Sequence, residues 1–70
     1  MSEDVAEAIR DESLETIDKF YAEDIYLVQQ AYELGRLDEE WYGRALVAAE
    51  RTRERHTNDA WETYYNRIGI

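Results

Sequence analysis

The sequence predicts an all-α fold, a long antiparallel helical hairpin, and three observations carry that prediction. Proline is absent from all 70 residues. Apolar residues recur in steps of three and four, not in strict alternation, which is the period of a helix with one buried stripe. The only strong interruption is Leu34-Gly35-Arg36-Leu37-Asp38-Glu39-Glu40. Helices over about 3–34 and 39–67 follow, within a single domain spanning 1–70.

The first helix opens on Ser2, whose hydroxyl suits an N-cap, with Glu3 and Asp4 at the positive end of the helix dipole. Its apolar stripe runs through Val5, Ile9, Leu14, Ile17, Phe20, Tyr21, Ile25, Val28, Ala31, Tyr32 and Leu34. At 1.5 Å per residue such a helix is roughly 48 Å long. Gly35 supplies the left-handed residue that ends many helices. Asp38 then caps the next helix, with Leu37 and Tyr42 placed for a hydrophobic staple. A stop and a start this close make the two helices antiparallel neighbours.

The second helix carries Tyr42, Ala45, Leu46 and Ala49 on its apolar face, then Ala60, Trp61, Tyr64, Tyr65 and Ile68. Between these lies the polar run 51–59. Thr57 or Asn58 as a cap breaks the helix near 56–58 and gives a three-helix bundle; an unbroken period gives the hairpin, which the length of the first helix favours. Gly43 costs about 1 kcal/mol inside a helix, so close approach to Val28 or Tyr32 is expected there. The apolar tail Ile68-Gly69-Ile70 is expected to dock on the bundle or on a partner.

The string from Leu34 to Tyr42, Gly-x-apolar-polar-acid-acid-x-aromatic from Gly35 onward, resembles the turn of SHOCT modules, which are short helical pairs. The resemblance implies a helical pair and carries no activity with it. The long acidic first helix departs from that pattern.

Charge is divided along the chain. Residues 1–40 hold 13 acids and 3 bases, and residues 41–70 hold 4 acids and 5 bases, within a net charge of −9. Folding back at the turn sets Arg51, Arg53 and Arg55 opposite Asp11, Glu12, Glu15 and Asp18. It also sets Trp61, Tyr64 and Tyr65 against Val5, Ala6 and Ile9. The acidic balance argues against direct nucleic-acid binding and against an anionic membrane surface. The acidic start lacks the apolar core of a signal peptide, and no apolar run is long enough to span a bilayer, so the expected location is cytoplasmic.

Catalysis is not expected. There is no cysteine, and the single histidine, His56, lacks the Glu-x-x-His spacing of helical metal sites, so it is read as a surface residue and no metal or cofactor is assigned. Ser2 and Ser13 read as caps or helix-surface residues, and no glycine-rich phosphate loop is present. Two features point instead to binding. Asp4, Glu7, Asp11, Glu15 and Asp18 follow steps of three and four, making a line of carboxylates over roughly 21 Å. Such a row imitates the regular negative charge of a nucleic-acid strand, set against the simpler reading of a solvated helix face. Second, Tyr26, Trp41, Trp61, Tyr64 and Tyr65 exceed what one narrow seam can bury, and exposed aromatics anchor interfaces.

The sequence therefore reads first as a small acidic protein–protein interaction module, a regulator or inhibitor of the size phages encode. It would engage a basic, nucleic-acid-binding protein as a DNA mimic. The alternative is a structural hairpin that self-associates through its aromatic face, as a homodimer or in a larger assembly.

Overall fold

The computed structural model describes residues 1–69, and in them two long helices pack side by side. Helix α1 spans Glu3–Glu33 and helix α2 spans Glu39–Ile68. The predicted hairpin forms, with bounds shifted by one residue at the two helix ends. The caps act as their chemistry requires. Ser2 accepts a hydrogen bond from the Val5 amide at 3.3 Å, and Asp38 accepts one from the Trp41 amide at 2.8 Å.

The connection is set by backbone geometry. Leu34 is the last half-helical residue, and Gly35 turns the chain at φ 74°. The Gly35 amide donates to the Tyr32 carbonyl at 3.0 Å, and the Arg36 amide reaches back to the Ala31 carbonyl at 2.9 Å. This crossed pair is the Schellman arrangement, which satisfies carbonyls the helix end would otherwise leave open.

Helix α2 runs through Thr57 and Asn58 without a break, so the three-helix bundle does not form. The polar run stays helical because part of it still finds partners on α1. Arg53 reaches Asp18 at 3.1 Å and lies 4.8 Å from the centre of the Tyr21 ring. Gly43 does not serve a close approach: a Cβ built there meets nothing within 4 Å. Nothing in the structure explains a glycine at this position. Of the apolar tail, Ile68 is half-buried and Gly69 closes α2 in a left-handed conformation, whereas Ile70 lies outside the described residues.

Two helices side by side enclose little. The molecule measures 50 × 16 × 8 Å, and its radius of gyration is 15.9 Å. A compact chain of this length would have a radius of about 11 Å. Among the described residues only Ala6 and Tyr64 are buried, at 0% and 6% exposure. Both lie at the open end of the hairpin, where no turn joins the helices. Near the turn, Tyr32 and Tyr42 stack with ring centres 4.3 Å apart. Between these ends the seam is made of half-buried side chains such as Leu14, Ile17, Ile25 and Val28. Phe20 departs from its predicted place in the stripe and is 61% exposed.

Candidate functional site

The hairpin has two broad flanks, one on each side of the seam, and they differ in chemistry. At 100° per residue, the acidic line of α1 stands about 160° around the helix from the row containing Ile9, Thr16 and Phe20. One flank of the molecule is therefore carboxylate-rich, and the opposite one carries an apolar row bordered by Glu12 and Asp24.

On the acidic flank the five predicted carboxylates do not share one environment. Asp11 accepts two hydrogen bonds from the neighbouring Arg10, at 3.0 Å from Nε and 2.9 Å from Nη2. Asp18 accepts one from Arg53 Nε at 3.1 Å. Glu7 is half-buried, close enough to Tyr64 to act on its phenol. Asp4 and Glu15 are exposed and form no ion pair among the described residues. Of the three arginines expected to face this row, only Arg53 does. Arg51 and Arg55 are exposed and form no ion pair among the described residues, because their positions on α2 turn them away from α1. The acidic line is thus pinned at two points and not neutralised.

Helix α2 adds to it. Glu50 and Glu54 are exposed and border a shallow concavity with Arg53 and Thr57. They flank the arginine that holds Asp18, so carboxylates from both helices share this side. The signal was the four-residue step from Glu50 to Glu54 around Arg53, readable only once the register is known.

The aromatic residues divide into a cluster and two outliers. Trp61, Tyr64 and Tyr65 lie with ring centres 5.5–5.9 Å apart, Trp61 and Tyr64 edge to face. The Arg10 guanidinium sits over this cluster, 4.7 Å from the Trp61 ring centre and 4.5 Å from that of Tyr64. Its hydrogen bonds to Asp11 hold the charge on Arg10 even more firmly than usual, outweighing the cost of its burial. Tyr64 is taken up by the hairpin itself, and burial first, then Glu7 and Glu3, push its phenol above the ordinary value. Trp61 and Tyr65 keep exposed surface, as do Tyr26 and Trp41. Tyr26 accepts a hydrogen bond from Gln30 at 2.7 Å, and Trp41 lies under the Arg44 guanidinium at 5.1 Å. The five aromatics thus do not form one continuous patch.

The apolar flank was not singled out by the sequence. A groove of about 680 Å³ runs between the helices there, with Ile9, Thr16 and Phe20 on one wall and Ala49, Thr52 and His56 on the other. Phe20, Leu27 and Leu34 are spaced seven residues apart and are 61%, 61% and 68% exposed. A seven-residue step keeps side chains on one line of a helix, and that spacing is the signal that could have found this row.

No helix of the described residues is long and apolar enough to cross a membrane. Comparison with protein-family models, with curated proteins and with solved structures finds no match.

Proposed function

We propose that the chain is a small protein–protein interaction module that presents the acidic flank of α1 to a basic partner. The observation that carries this reading is the state of the carboxylate row: among the described residues, Asp4 and Glu15 form no ion pair, and of the row only Asp11 and Asp18 are tied by arginines. A helix bearing regularly spaced carboxylates, with Glu50 and Glu54 beside it, suits a groove that otherwise accepts nucleic-acid phosphates. The natural role of such a module is inhibition or regulation by occupying that groove. Charge complementarity of this kind raises the association rate and weakens with salt.

The test uses the residues that hold no structural ion pair. A protein captured from the native host by the wild-type chain should elute as salt is raised, and should bind Asp4→Asn/Glu15→Gln several-fold more weakly. Salt-independent binding that ignores both substitutions would overturn the reading.

A further inference from the structure

We infer that the apolar flank is covered by a second copy of this chain, packed as a two-fold four-helix bundle in which α1 of each copy lies over α2 of the other. The inference is independent of the acidic flank, which points the opposite way and stays outside such a bundle.

Surface area is the first argument. The hairpin exposes 5474 Å². A compact protein of 8.3 kDa exposes about 4,600 Å². The surplus of roughly 900 Å² is close to the ~800 Å² that one partner covers in a standard interface. The exposed row Phe20, Leu27 and Leu34 lies on the flank a second layer would cover.

Shape is the second argument. Within the hairpin, Asp18 stands level with Arg53, and Tyr32 with Tyr42. A two-fold axis parallel to the helices preserves these heights and exchanges α1 for α2. Phe20 of one copy then comes level with Thr52 of the other, and Leu27 with Ala45 and Ala48. Large side chains on α1 thus meet small ones on α2, which is how facing layers interdigitate. All neighbouring helices are antiparallel.

Charge selects this arrangement over its rival. An axis running across the helices would set α1 over α1, bringing together two helices rich in acids. With α1 over α2, the acidic α1 of each copy instead meets a helix of nearly balanced charge, six acids and five bases over Glu39–Ile68.

Sedimentation of the full chain tests the inference. The wild type should sediment as a dimer at micromolar concentration. Leu27→Glu should raise the dimer dissociation constant at least tenfold while circular dichroism keeps its helical signal, because Leu27 is already exposed in the single hairpin. Ala48→Glu, on α2 at the level of Leu27, should weaken the dimer as Leu27→Glu does. A wild-type monomer at high micromolar concentration would overturn the inference. So would a dimer that survives Leu27→Glu but is dissociated by Tyr65→Glu. A dimer that Leu27→Glu dissociates and Ala48→Glu leaves intact would overturn the pairing of α1 over α2.

Discussion

The guanidinium of Arg10 lies 4.5 Å from the centre of the Tyr64 ring, and this contact closes the end of the hairpin that no turn joins. Tyr64 is the one large side chain buried among the described residues. Its phenol is held above the ordinary value of 10.0, chiefly by burial and then by Glu7 and Glu3. An acid whose proton is held more tightly in the folded state contributes stability that is intact below its unfolded value. That stability is lost as pH rises through the folded one. The hairpin should therefore lose stability above pH 10.0, and Tyr64→Phe should flatten this alkaline limb. Thermal melts followed by circular dichroism between neutral pH and the alkaline limit check it. Equal slopes in the two proteins would refute the assignment.

The glycines should respond in opposite directions. A Cβ at Gly43 meets nothing, and the position is regular helix. Gly43→Ala should therefore stabilise by about 1 kcal/mol, through helix propensity and a less flexible unfolded chain. Gly35 sits at φ 74°, a left-handed conformation that an L side chain adopts only at a cost. Gly35→Ala should destabilise by roughly 1–2 kcal/mol. Denaturant midpoints at constant slope read both effects.

The bond between Asp18 and Arg53, at 3.1 Å, links the middles of the two helices. Both side chains are about half exposed or more, so water and salt screen the pair. A double-mutant cycle with Asp18→Asn and Arg53→Gln should give a coupling of a few tenths of a kcal/mol, falling with added salt. A coupling above about 2 kcal/mol, insensitive to salt, would mean that the pair is shielded in solution by something the single hairpin lacks.

Asp38 is the cap that starts α2, at 2.8 Å from the Trp41 amide. Removing the side-chain acceptor leaves an amide of the first turn without its partner. Asp38→Ala should cost about 1 kcal/mol, and Asp38→Ser should recover most of it. Melting midpoints distinguish the two variants.

Local chemistry made the two helices and their turn legible in the sequence. Ser2, Gly35 and Asp38 act through their own backbone or their nearest amides, so their roles need no distant partner. The 3.6-residue period of the apolar residues adds the one remaining piece, a seam. The register was partly legible too: the acid-rich start and the arginine-rich run did bring Asp18 to Arg53. Arg10 was not foreseen. Its place over Trp61 and Tyr64 depends on which rings face it across the seam.

The sequence by itself determined that this chain forms two helices, where they begin and end, and that they run antiparallel. Each of those outcomes is decided within a few residues of chain. Only the tertiary structure decided that α2 continues through Thr57 and Asn58, and that Arg53 alone of three arginines meets the acidic row. It alone placed the acidic and apolar surfaces on opposite flanks. The arginine's place and the division of surfaces depend on the rotation of each helix about its axis. Rotation is set by the sum of many weak contacts across the seam, and no single residue encodes it.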